Sequence, residues 1–203
     1  MIDIVQLVAL QSAAVARWHL EPMTNDGEGF DRLVLANHQV NFRLWHEEDQ
    51  ARDPAASDST IAQVKRRIDG LNQQRSDSIE QLDSAVADVL AGERAAVDRA
   101  LPMNTETPGS AIDRLSILAL RIFHLDEQSQ RAQRDESSRQ RVRHSLQIAA
   151  QQRHDLAESL QQLLHDLRAG RKRHQAFRQL KMYNDPELNP AIYQHHHRQA
   201  KPS

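Results

Sequence analysis

The chain contains no cysteine, which excludes disulfides, thiolate catalysis and cysteine-ligated zinc. It is poor in chain breakers, with only 6 Gly and 7 Pro in 203 residues. No run alternates β-branched and polar residues, so a sheet is not expected. Aromatics make up 4% of the chain, and Trp18 and Trp45 are therefore expected to be anchors. No apolar stretch of roughly 20 residues occurs, so no membrane span is expected. The start, Met1 to Val5, lacks a basic segment and a small-residue cleavage site, so the expected location is the cytoplasm. A formal charge of −2 provides no global field to steer the protein to nucleic acid. Walker, Gly-x-Ser-x-Gly, Gly-x-Gly-x-x-Gly and His-Glu-x-x-His motifs are absent, as is the Glu-x-x-His pair of di-iron bundles.

What is present is a helix-forming composition rich in Ala, Leu, Gln, Arg, Glu and Asp. The sequence predicts an all-α fold: a single bundle of five or six helices over residues 1–194, with a disordered polar tail at 195–203. The first helix is expected over 2–19, with Val5, Val8, Ser12, Val15 and His19 on one face. The second is expected over 30–52, with Leu33, Asn37, Val40, Leu44, Glu48 and Ala51 facing inward. The third runs from about Thr60 to Gly92. A fourth opens at Pro108 to Ser110, and its body over 112–125 is apolar on nearly all sides, which places it centrally. A break near Asp135 to Ser138 separates it from a long polar helix ending at Arg168. Gly170 reads as a C-cap. A short amphipathic piece over 174–180 and a shaped loop or lid over 182–190 follow. The basic stretch 168–181 reads as a solvated face.

The third helix carries a heptad seam of Ile61, Ile68, Leu82 and Val89, with Val64, Leu71, Ile79 and Val86 beside it. Arg75 interrupts that seam. A bare buried charge costs several kcal/mol, so Arg75 must find an acid or an anion. Lys65, Asp69, Asn72, Ser76 and Asp83 form a polar stripe on one face. On the second helix, Asn41, Trp45, Glu48, Asp49 and Arg52 share a flank, and Glu48 or Asp49 is expected to neutralise Arg75 or Lys65. The bland reading is a register-setting salt-bridge network; the functional one is a ligand or hydrated cation held by carboxylates. Glu80 and Asp83, one turn apart, suit a shared Mg²⁺. Around the fourth helix start, Thr107 with Pro108, or Ser110 with Asp113, forms a cap. The same N–H groups behind Gly109, with Thr107, Ser110 and Arg114, are alternatively a phosphate cradle unless Asp113 fills it.

Four strings carry a resemblance: Asn41 to Arg52, Lys65 to Asp83, Asn104 to Leu118, and Tyr183 to Pro190. Together they resemble a bacterial family of unknown function, numbered four-two-five-four, over about 30–190. Ser76 departs from the asparagine that the family pattern has before Asp77. The resemblance implies a helical protein without an assigned activity, in a setting of envelope-glycan glycosyltransferase genes. A looser likeness is to all-helical nucleotide pyrophosphohydrolases of the MazG type. Glu80 and Asp83 match one of their metal-binding pairs, whereas Glu47, Glu48 and Asp49 do not match the other in spacing.

The leading expectation is a polar pocket binding a phosphate- or hydroxyl-rich ligand such as a nucleotide sugar. Its residues are Asn41, Trp45, Glu48, Asp49, Arg52, Lys65, Asp69, Asn72, Arg75, Thr107, Ser110, Asp113 and Arg114. An enzyme alternative is Mg²⁺-dependent pyrophosphate hydrolysis, with Glu48, Asp49, Glu80 and Asp83 as ligands. A third reading is a non-catalytic partner of a glycosyltransferase system, or a homo-oligomer, using the long C-terminal helix as its surface. The histidine tail, His195 to His197, supplies no fixed metal geometry.

Overall fold

A computed structural model describes residues 2–93, 99–131, 135–176 and 187–190. Among the described residues, five helices form an all-α bundle: α1 (Ile4–Trp18), α2 (Gly29–Ala51), α3 (Asp58–Glu93), α4 (Pro108–Gln130) and α5 (Glu136–Arg168). No strand occurs among the described residues. A backbone bridge joins Met103 to Arg173 and ties the loop before α4 to the segment after α5. None of the described helices is long and apolar enough to cross a membrane. The tail, most of the 182–190 loop and most of the 174–180 piece lie outside the described residues.

Local chemistry sets the helix ends. The Asp3 carboxylate accepts from the Val5 and Gln6 N–H groups. Thr107 accepts from Ser110 N–H, with Pro108 at the first helical position. The α4–α5 break falls where Asp135 accepts from Ser138 N–H at 2.8 Å. Each such cap satisfies donors the helix leaves unpaired. Gly170 closes α5 at φ 69°, a backbone region an L-residue rarely occupies.

α4 packs against each of the other four helices, as a helix apolar on most of its sides must to keep them from water. The main core draws on all five: Ile4 and Leu7, Val34, Leu82 and Val86, Ile112 and Leu115, Leu160 and Leu164. Full burial of each such side chain contributes about 1.5–3 kcal/mol. A second cluster, Val40, Leu44, Val64, Ile68 and Leu71, joins the distal ends of α2 and α3.

Three faces differ from the sequence expectation. α1 buries Ile4, Leu7, Gln11, Ala14, Val15 and Trp18, and leaves Val5 exposed. Two apolar stripes lie side by side on α1, and tertiary partners choose between them: Gln11 Nε2 donates to Ile112 O at 3.2 Å, and Trp18 Nε1 to Thr24 O. On α2 the buried face is wider and includes His38 and Asn41, because α1, α3 and α4 all meet it. On α3, Val89 is exposed. A strict heptad drifts about 20° per repeat on a straight helix, and four repeats rotate Val89 out of the seam.

Candidate functional site

Arg75 does face inward, but its acid comes from α4. Its Nε lies 3.0 Å and 3.1 Å from the two Asp113 carboxylate oxygens, and its Nη2 lies 2.5 Å from Oδ2. The Asp113 side chain is 3% exposed and that of Arg75 32%, so a buried anion meets a guanidinium that still reaches the surface. The hydrogen bond to Asp113 pushes the Arg75 pKa further up. Asp113 Oδ1 also accepts from Asn37 and Asn41 at 3.0 and 2.9 Å. Asn41 Nδ2 donates onward to Ser116 Oγ at 3.0 Å, and Ser116 bonds His38 Nδ1 at 2.7 Å. A hydrogen-bonded file therefore runs from Arg75 through Asp113, Asn41 and Ser116 to His38. Burial pushes the His38 pKa down to about 4, leaving it neutral beneath Trp18, whose ring lies 5.1 Å away. Glu48 and Asp49 do not neutralise Arg75: Glu48 pairs with Arg52 one turn on.

Above this file opens a cleft of about 440 Å³ between α2, α3 and α4. Asn41, Trp45, Glu48, Asp49, Arg52, Asn72 and Arg75, all expected at a pocket, line it. Leu44, Ile117 and Leu120 supply apolar wall, and Arg121 joins the rim. Arg121 is the residue sequence reading missed. It stands one turn beyond Ile117 on the stripe that begins at Asp113, a spacing visible in the sequence once Asp113 is known to face α3.

The remaining expected residues lie elsewhere. Lys65 pairs with Asp69 on the exposed surface of α3. Arg114 makes a two-oxygen pair with Glu106, on an adjoining groove that holds Asp155 and shares Ile117 and Arg121 with the cleft. Thr107 and Ser110 bond each other at the start of α4. That helix start is filled by Asp83, which is buried and accepts from Gly109 N–H at 2.6 Å. Asp83 thus fills the place that a phosphate, or Asp113, was expected to take. Burial holds the Asp83 pKa above the usual carboxylate value, against the pull of its bonds to Thr107 and Gly109. A Cβ on Gly109 would lie 2.6 Å from Ile79 O, so glycine here is what allows the approach. Glu80 lines a different groove, with Asp77 and Asp88.

Metal-type donors converge in a place the sequence did not mark. Among the described residues, one group of three or more His, Cys, Asp or Glu brings its ligand atoms within 4.8 Å of one another: His19, His46 and His124. Glu48, Asp49, Glu80 and Asp83 do not form such a group. The three imidazoles come from the end of α1, from α2 and from α4. Desolvation, then the nearby His19 and His124, lowers the His46 pKa. Trp45 stacks on His124 at 4.9 Å and 11°, so this cluster backs the wall of the cleft. A signal for it exists in the chain: each histidine directly follows an aromatic, in Trp18-His19, Trp45-His46 and Phe123-His124.

No curated protein and no solved structure matches the chain. A family model does, over residues 31–176, a span that holds the cleft, the Arg75–Asp113 pair and two of the three histidines. The chain belongs to the family described as protein of unknown function (DUF4254).

Proposed function

We propose that this protein binds a small ligand carrying phosphate and hydroxyl groups, of the nucleotide-sugar class, in the cleft between α2, α3 and α4. The observation that carries the reading is the pair of guanidinium groups there. Arg121 has no acid partner among the described residues, and Arg75 presents Nη1, which bonds none of them. Guanidinium matches phosphate oxygens in geometry and charge. The acids of the same cleft, Glu48 and Asp49, suit hydroxyl donors, and Trp45 offers a flat apolar surface to a base or sugar. The file from Asp113 to His38 holds Arg75 and Asn41 in place before a ligand arrives, which lowers the ordering cost of binding. The hydrolytic alternative needs Glu48, Asp49, Glu80 and Asp83 together, and their separation favours binding over metal-assisted hydrolysis. Envelope-glycan synthesis is the setting this ligand class fits.

Thermal-shift titration with UDP-glucose, UDP and inorganic pyrophosphate tests the proposal. A ligand at a hundredfold excess over Kd stabilises the fold by about 2.7 kcal/mol, a readily measured rise in Tm. Arg121 is exposed, so Arg121→Ala leaves the unliganded Tm unchanged and removes most of the rise. No rise with any of the three, or a rise that Arg121→Ala leaves intact, overturns the reading.

A further inference from the structure

We propose that His19, His46 and His124 form a binding site for one divalent transition-metal ion of the zinc class, tying α1, α2 and α4 together behind the wall of the cleft. This site is separate from the ligand cleft and stands whether or not that cleft binds a nucleotide sugar.

Three independent features point to it. First, the spacing fits. With Zn–N bonds of about 2.0–2.1 Å, tetrahedral Nε2-bound imidazoles have ring centres about 5 Å apart. The three ring-centre distances are 5.0 Å (His19–His124), 5.3 Å (His19–His46) and 5.8 Å (His46–His124). The ligand atoms, within 4.8 Å of one another, need only close inward to the roughly 3.4 Å that such bonds require.

Second, the outer nitrogens set the tautomers. His19 Nδ1 lies 2.7 Å from the Val15 carbonyl oxygen. That oxygen only accepts, so Nδ1 carries the proton and Nε2 the lone pair. His124 Nδ1 lies 3.0 Å from Glu127 Oε2, so in the neutral ring Nδ1 is the donor and Nε2 the lone pair. A carbonyl or carboxylate behind a ligating histidine is the arrangement that orients metal-bound imidazoles and raises their basicity.

Third, those two Nε2 atoms are buried and have no hydrogen-bond partner among the described residues. A buried polar atom without a partner is destabilising, and a shared metal ion satisfies both at once. Three imidazole donors favour zinc, cobalt or nickel over magnesium or calcium, which prefer oxygen. They also leave a fourth tetrahedral position for water or another donor.

The histidines of the tail would confuse a direct assay, so the test uses the full chain carrying His195→Ala, His196→Ala and His197→Ala. After chelator treatment and dialysis, it is titrated with Zn²⁺ by calorimetry and with Co²⁺ by visible absorption. The expected result is one ion per chain, with the intense d–d bands of tetrahedral Co²⁺. His46→Ala on this background is expected to abolish both signals. Glu127→Gln, an exposed change that leaves the fold intact, is expected to weaken Zn²⁺ binding about tenfold to a hundredfold. Glu127 acts here as a positioning residue. No stoichiometric uptake, or uptake that neither His46→Ala nor Glu127→Gln weakens, overturns the proposal. If His46→Ala does not fold, the Co²⁺ spectrum and the Glu127→Gln affinity decide it.

Discussion

Lys65–Asp69 and Arg75–Asp113 are both acid–base pairs anchored on α3, and they sit in different surroundings. The first joins neighbours one turn apart, with side chains 65% and 50% exposed. The second joins α3 to α4, with Asp113 3% exposed. The polar stripe of α3 divides the same way: Lys65, Asp69 and Asn72 face solvent, while Ser76 and Asp83 are buried. One helical face thus meets water at one end and the start of α4 at the other. The stripe's residues share one helical face but not its exposure to water. An exposed pair competes with water at every moment, whereas a buried carboxylate keeps whatever donors the fold supplies.

Breaking the buried pair should have the largest effect. Arg75→Met strands the Asp113 carboxylate and is expected to lower stability by about 3 kcal/mol, read from urea denaturation. Adding Asp113→Asn should recover most of that, because the amide oxygen still accepts from Asn37 and Asn41. A double variant no better than the single one would mean that the pair is not what Arg75 contributes. A smaller loss is expected at the buried end of the stripe. Gly109→Ala forces a methyl against the Ile79 carbonyl and the Asp83 carboxylate, and should lose about 2 kcal/mol by overpacking. An unchanged Tm there would show that α3 and α4 approach less closely. At the exposed end, a double-mutant cycle of Lys65→Ala and Asp69→Ala should give a coupling of only about 0.3–0.5 kcal/mol, shrinking with salt. A coupling as large as that of Arg75 with Asp113 would erase the contrast between the two ends.

The helices were legible because their signals are local. Asp135 with Ser138, Thr107 with Pro108, and Gly170 mark ends that depend on adjacent backbone groups alone. The cleft was legible in part for a related reason. Asn41, Trp45, Glu48, Asp49 and Arg52 lie on one flank of α2, and helical spacing alone groups them. Arg75 showed itself as a charge in an apolar seam. Its partner did not, because Asp113 is far off in the chain and just as plausible as a helix cap. The histidine cluster was hidden more deeply. It joins three helices, and no short spacing connects His19, His46 and His124.

The chain on its own determined that this protein is a helical bundle, that α4 lies at its middle, and that Arg75 needs an anion. Those outcomes follow from composition, capping and period, which act within a turn or two of helix. Only the tertiary structure decided which face of α1 turns inward, that Asp113 rather than Glu48 meets Arg75, that Asp83 occupies the start of α4, and that three histidines converge behind Trp45. Those choices depend on which helices become neighbours and on which polar groups lose water when they do, and neither is written into the spacing of residues along one helix.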